Sequence, residues 1–262
     1  MIITNDRLEP LTAEETARYG RQLMLPDIGA EGQKRLKAAR ALIVGVGGLG
    51  SPIGLYLAAA GVGTLGLVDF DSVEESNLQR QIIHSESYIG KPKTASARER
   101  IHAMNPRVNV AAYNTALTGS NAMDIIKGYD LVLDGTDNTA ARRQINDACA
   151  QAGIPYIYGS VSEFAGQVSV FCAKGGPCYR CAFPDPPISA ASTGTIGVMG
   201  VMPGIIGCIQ AAEAVKLIVG AGNRLIGRLL TVDALSMEFC EIQLKKEPNC
   251  PICGTPVSSL RA

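Results

Sequence analysis

Eight cysteines occur in 262 residues, and four of them form two pairs with metal-ligand spacing, Cys178-x-x-Cys181 and Cys250-x-x-Cys253. Four thiolates in paired turns match a tetrahedral Zn²⁺ site, and closed sites of this kind are structural. The competing reading, a thioredoxin-like redox motif, needs one C-x-x-C near a helix start rather than two. Zinc here would tie the C-terminus to the central body. Cys149, Cys172, Cys208 and Cys240 lie in apolar contexts and read as buried small hydrophobes.

A second set of reactive residues is cationic and amidic: Arg80 and Lys93 with Asn77, Gln79 and Gln81 around them, then Asp137 and Asn138 after an apolar run. Taken singly, Arg80 or Lys93 is more often a solvated charge, and Asp137 a turn former or helix cap. Taken together beside a glycine loop, they fit nucleotidyl transfer. A carboxylate attacking the α-phosphate of ATP is already an anion and needs no general base. The protein must neutralise phosphate charge and hold the reactants in line. Arginine and lysine clamps, a carboxylate-held Mg²⁺ and backbone N–H groups serve that purpose.

These residues are positioned by the stretch from Ala41 to Asp71. An apolar run (Ala41–Val44) leads into Gly45, Gly47, Gly48 and Gly50, a helical pattern follows over Ser51–Ala60, and a second apolar run (Thr64–Val68) ends at Asp69. This is the order of a nucleotide-binding βαβ unit, in which the helix N-terminus meets phosphate and the acid meets ribose. By itself the fingerprint would suit an NAD-dependent oxidoreductase. Against hydride transfer stand only two histidines, His84 and His102, neither in an evident catalytic setting; His102 falls inside a helical pattern. A non-catalytic nucleotide-binding or zinc scaffold protein is the third reading.

Around this unit, residues 10–40 read as an N-terminal helical arm, with a capping box at Thr12 and Glu15 and a patchy apolar face of Tyr19, Leu23 and Leu25. The Arg18–Gln22 stretch within it looks like a solvated basic helix end. Residues 69–93 form a long polar loop without its own structure, a length that points to function. Lys93 opens a helix over Thr94–Ala103. Strands are expected at Val108–Tyr113, Asp130–Asp134, Tyr156–Tyr158, Gln167–Phe171, Leu229–Asp233 and Phe239–Leu244. Helices are expected at Thr139–Ala152 and from Pro203 to Val219, and the Pro/Ser/Gly-rich 184–197 reads as a mobile loop.

The fold class is therefore α/β: a Rossmann-like nucleotide-binding domain whose largely parallel sheet is extended by C-terminal strands into a mixed sheet. A helical arm and a four-cysteine zinc site complete it. Residues 1–262 are read as a single unit, with the arm at 1–40, the nucleotide core at 41–175 and a zinc-tied part at 176–262.

Lys+Arg and Asp+Glu number 24 each, so no charge bias toward nucleic acid or an anionic membrane is present. The first fifteen residues contain no apolar core of signal-peptide length. The apolar stretch Ile196–Ile209 is cut by Gly and Pro203, and is too short and broken for a membrane span. The expected location is cytoplasmic.

Seven motifs in order, Arg18–Gln22, Gly45–Gly50, Asp69-Phe70-Asp71, Ser76–Gln81, Lys91-Pro92-Lys93, Asp134–Asn138 and the two C-x-x-C pairs, resemble the MoeB/ThiF/HesA family, bacterial relatives of the ubiquitin-activating enzymes. The resemblance covers residues 14–254 and is closest in character to the MoeB type. It implies ATP-dependent adenylylation of the C-terminal glycine carboxylate of a small ubiquitin-like sulfur-carrier protein ending in Gly-Gly, with release of pyrophosphate. It also implies a homodimer, Mg²⁺ at the nucleotide and structural Zn²⁺ on Cys178, Cys181, Cys250 and Cys253.

By the same resemblance Gly45, Gly47 and Gly48 lie against the nucleotide and Asp69 holds the ribose. Asp71, Ser76, Asn77, Arg80 and Lys93 line the phosphate side. Asp137 handles Mg²⁺ beside Asn138, and Arg21 reaches the ATP of the neighbouring subunit. Arg80, Lys93, Asp137 and Arg21 form the implied catalytic set. Sulfur-transferring members carry a cysteine after the first knuckle, whereas this chain has Ser192 and Thr193 there and no cysteine between Cys181 and Cys208. A hydroxyl without an activating base is far less nucleophilic than a thiol, so no thioester or acyl-disulfide step is expected from that loop.

Overall fold

The computed structural model describes residues 2–173, 175–184 and 197–254. Eight strands form one sheet: β1 (Arg40–Val44), β2 (Thr64–Val68), β3 (Asn109–Tyr113), β4 (Leu131–Asp134), β5 (Tyr156–Ser162), β6 (Ala165–Phe171), β7 (Arg228–Asp233) and β8 (Glu238–Gln243). Their order is β3-β2-β1-β4-β5-β6-β7-β8. The first five are parallel, and β5 to β8 continue as an antiparallel meander. This is the expected mixed sheet.

The helices are α1 (Ala13–Arg18), α2 (Gly20–Leu23), α3 (Gly29–Ala38), α4 (Gly50–Ala60), α5 (Lys93–Met104), α6 (Ala122–Ile126), α7 (Thr139–Ala152), α8 (Tyr179–Ala182) and α9 (Met202–Val219). Alternation along β1 sends Ile43 to one face and Leu42 and Val44 to the other. Ile43 joins Leu36, Ile53, Leu57, Ile101, Ile206 and Leu217 in a core under α3, α4, α5 and α9. Leu42 and Val44 join Ile126, Ile145, Tyr156, Phe171 and Tyr179 in a second core under α6, α7 and α8. Because β2 and β4 flank β1, the chain crosses to opposite sides after β1 and β4, and a crevice opens at their carboxyl ends. Open α/β sheets place their ligands at such a switch point.

Several expectations need correction. The helical arm consists of three short helices, and of its expected apolar face Tyr19 is buried while Leu25 is 51% exposed. Residues 69–93 are not structureless. They contain two 3₁₀ turns, Glu75–Asn77 and Glu86–Tyr88, and bridges from Ser72 to Pro92 and Val73 to Ile89. Cys240 is exposed, because β8 is the sheet edge and none of the described residues covers either of its faces. By length and composition α9 could cross a membrane, but 61% of it is buried within the fold. Its glycines do not interrupt it; Gly207 lets it pack against Pro52 and the Leu49 carbonyl of α4's entry. The 184–197 loop, with Ser192 and Thr193, lies almost wholly outside the described residues.

Candidate active site

A cavity of about 590 Å³ opens at the carboxyl ends of β1, β2 and β4. The glycine turn forms one wall, and its glycines divide the labour. Gly45 adopts φ +88°, and a Cβ there would stand 2.6 Å from the Gly135 backbone; one on Gly50 would meet the Gly45 carbonyl at 2.1 Å. Close chain packing therefore dictates these two glycines. At Gly47 the nearest atom to an added Cβ is Gln81 Nε2 at 3.5 Å, which leaves the backbone open to the cavity.

Asp69 ties the wall together. Its Oδ2 accepts the Val46 N–H at 2.7 Å, and its Oδ1 accepts the Asp71 N–H at 2.9 Å. Each oxygen keeps a further lone pair free to accept. Burial raises the Asp69 carboxyl above the ordinary range, and the two backbone hydrogen bonds only partly offset this. Lys93, 6% exposed at the start of α5, reaches Asp71 Oδ2 at 2.9 Å. Arg80 is half-buried on the same side, its guanidinium donating to the Ser76 carbonyl at 3.2 Å. Lys93 is matched by Asp71, whereas Arg80 donates to a carbonyl and has no ion-pair partner among the described residues, so it brings the positive charge a phosphate chain requires.

The opposite wall is the turn after β4. Asp137 is exposed at the cavity lining, and Asn138 caps α7 by accepting the Ala141 N–H at 2.9 Å. Asp134 itself is fully buried: Oδ1 accepts from Thr136 N–H (2.8 Å) and Oγ1 (2.6 Å), and Oδ2 from the Tyr156 hydroxyl (2.5 Å). Burial pushes its carboxyl up and, with the carboxylate alongside, holds the Tyr156 phenol well above its usual range.

The structure thus gathers Gly45, Gly47, Gly48, Asp69, Asp71, Arg80, Lys93, Asp137 and Asn138 around one cavity. Ser76 and Asn77 do not line it. Asn77 is buried in the 3₁₀ turn below, and Ser76 contributes its carbonyl to Arg80. Arg21 is exposed on α2 and does not line the cavity of its own chain. Neither histidine lines it: His84 is buried and His102 exposed on α5.

Sequence reasoning missed Arg142 and Phe70. Arg142 projects from the first turns of α7 to the cavity, donates to the Thr136 carbonyl at 3.2 Å, and stands 3.8 Å from Asp134 and over the Tyr158 ring. Burial disfavours its charge, but Asp134 more than restores it. Phe70, 68% exposed at the cavity edge, offers a bare aromatic face. The signal for Arg142 was present, one helical turn beyond the Asn138 cap.

Below the second core, the Sγ atoms of Cys178, Cys181, Cys250 and Cys253 lie within 4.8 Å of one another. Neighbouring sulfurs are 3.8, 3.6 and 3.4 Å apart. Sulfurs about 2.3 Å from a tetrahedral metal lie about 3.8 Å from one another, so this cluster fits a four-thiolate ion. Tyr179, between the first two cysteines, packs against Tyr156 and Tyr158. The knuckle is joined to the Asp134 turn through rings.

Residues 19–252 match the model of the ThiF family. This chain belongs to the ThiF family. MoeZ of Mycobacterium tuberculosis, assigned as an adenylyltransferase/sulfurtransferase, is 49% identical over 92% of this chain and 63% of its own length. The sulfur carrier protein adenylyltransferase of Thermus thermophilus is 46% identical over 93% of this chain and 92% of its own. The chain thus spans less than two thirds of MoeZ but nearly all of the Thermus protein. Among solved structures, Escherichia coli MccB with MccA-N7isoASN superposes with a TM-score of 0.83 at 21% identity, over 92% of this chain and 75% of that one. The same ThiF-type fold has also been solved as MccB with ATP.

Proposed function

We propose that this chain adenylylates the C-terminal glycine carboxylate of a small ubiquitin-like sulfur-carrier protein ending in Gly-Gly. The observation that carries this reading is the cavity itself: cations, backbone N–H groups and the carboxylates of Asp69, Asp71 and Asp137, with no histidine among its described lining residues. Such a site neutralises phosphate rather than moving a proton or hydride. The names of the Thermus and MoeZ relatives support it, whereas nothing in the cavity favours an NAD-dependent oxidoreductase or an inert scaffold.

In the proposed reaction a carboxylate oxygen of the carrier bonds to the α-phosphorus of ATP, the α–β bridging bond breaks, and pyrophosphate leaves. Gly47 and Gly48 lie along the nucleotide and Asp69 takes the ribose. Arg80 and Lys93 spread the phosphate charge, with Asp71 steadying Lys93; Ser76 and Asn77 shape the loop that holds them. Asp137 with Asn138 is the place for Mg²⁺, which supplies charge neutralisation at the phosphates when bound. Zn²⁺ suits the four thiolates as a structural tie. Exposed Phe164, Leu235, Met237 and Phe239 cluster at the adjoining hairpin ends of β5–β8, an apolar surface suited to a protein substrate.

We further read the chain as a homodimer in which Arg21 serves the neighbouring copy's site, since it lies on α2 outside its own cavity. The organisation is one adenylyltransferase unit, with arm (1–40), nucleotide core (41–175) and metal-tied part (176–262). The expected location is the cytoplasm, with neither nucleic acid nor membrane as partner.

Carrier-dependent ATP–pyrophosphate exchange tests the reading. Exchange with at least one Gly-Gly carrier is expected, and its absence with every carrier tried sinks the proposal. Arg21→Ala should lower exchange by about tenfold or more while the dimer persists in sedimentation; unchanged turnover refutes the cross-subunit role.

A further inference from the structure

Val46, within the glycine turn, has both backbone groups held by side chains from elsewhere. Its N–H goes to Asp69, and its carbonyl lies 2.9 Å from His84 Nε2. The other ring nitrogen, Nδ1, stands 2.9 Å from Ser96 Oγ on α5. A carbonyl only accepts, so Nε2 carries the hydrogen; in the neutral ring, Nδ1 then accepts from the Ser96 hydroxyl. The environment favours that neutral form. Burial, helped by the Lys93 charge, holds His84 below its ordinary pKa despite the hydrogen bond to Val46. His84 is 8% exposed and does not reach the cavity.

The Val46 carbonyl and the Gly47 N–H belong to one peptide group, and a trans peptide points them in opposite directions. Fixing the carbonyl on His84 turns the Gly47 N–H away from His84. Gly47 lines the cavity, and its N–H finds no acceptor among the described residues. A peptide next to glycine otherwise rotates at little steric cost. We propose that His84 is a positioning residue, which locks the Val46–Gly47 peptide so that the Gly47 N–H faces the cavity as a preset donor to a phosphate oxygen of the nucleotide. The proposal rests on the reading that a nucleotide occupies this cavity.

Three variants separate the hydrogen bond from packing. His84→Gln carries an amide N–H out to the position of Nε2, His84→Asn reaches only the position of Nδ1, and His84→Leu fills the space without a donor. Binding of ATP and, separately, of NAD⁺ is measured by calorimetry, with the Gly47 amide followed by ¹⁵N NMR. The Kd for the nucleotide that the wild type binds should rise about tenfold or more in the Leu and Asn variants and stay within about threefold in Gln. The nucleotide-induced shift of the Gly47 amide should survive in Gln and vanish in Asn and Leu. Should the Leu variant not fold, the Gln and Asn pair decides alone. Equal affinities in Gln and Asn, or the reverse order, overturn the proposal. If the wild type binds NAD⁺ and not ATP, the adenylylation reading falls while His84 is tested on NAD⁺. A chain that binds neither overturns both.

Discussion

Asp69 and Asp134 stand at the carboxyl ends of β2 and β4, the two strands that flank β1. Both carboxylates are buried, both are raised above the ordinary range by burial, and both accept a backbone N–H two residues further on. They differ in what lies on their other side. Asp69 borders the cavity and also holds the glycine turn through Val46. Asp134 is sealed beneath its turn by Tyr156, with Arg142 as its counter-charge. The same residue type at the two flanking strand ends, one register position apart, is a cavity-facing clamp in one case and a structural anchor in the other. Access to solvent, not the motif, separates the roles.

The largest expected effect comes from the anchor. Asp134→Ala leaves Arg142 as a buried, unpaired charge and frees three donors, and should cost about 3–5 kcal/mol in urea unfolding. A cost under about 1 kcal/mol breaks the comparison. Next comes the clamp. In Asp69→Asn one backbone N–H faces an NH₂ instead of an oxygen, which should cost about 1–3 kcal/mol and weaken ATP binding about tenfold, read by titration.

Asp69 also fixes a pH dependence. Its pKa is raised on folding, so its contribution to stability is present below the ordinary carboxylate pKa and lost as pH rises through the raised value. The margin of wild type over Asp69→Asn should therefore narrow as pH rises above the ordinary carboxylate range. A widening margin reverses the assignment. The smallest effect on nucleotide affinity belongs to the cysteine cluster, which reaches the Asp134 side through the rings of Tyr179 and Phe183 and reaches α7 through Arg180 and Asp147. Cys253→Ser should lower metal content and thermal midpoint while the ATP Kd stays within about threefold; a collapse of ATP affinity with intact stability would show the knuckle to be part of the clamp.

Much of this was legible in the chain. The βαβ unit, the strand sequence and the paired C-x-x-C were readable because short-range periodicity and turn chemistry fix them. The edge exposure of Cys240 was not, since an apolar neighbourhood in sequence says nothing about which strand ends the sheet. Arg142 escaped notice because its importance comes from Asp134 and Tyr158, eight residues before it and sixteen after. His84 carries no signal in its sequence neighbourhood; only the fold brings Val46 and Ser96 to its two nitrogens.

By itself the sequence determined the nucleotide-binding unit, the order of strands and helices, the metal-type thiol set and the residue types that can neutralise a phosphate chain. Those follow from local spacing, which acts within a few residues. Tertiary structure decided which acid faces the cavity and which is entombed, and which glycines serve packing rather than line the cavity. It also decided how the glycine turn is held. These depend on contacts between segments far apart in the chain, where burial and the directions of hydrogen bonds are set only once the sheet is assembled.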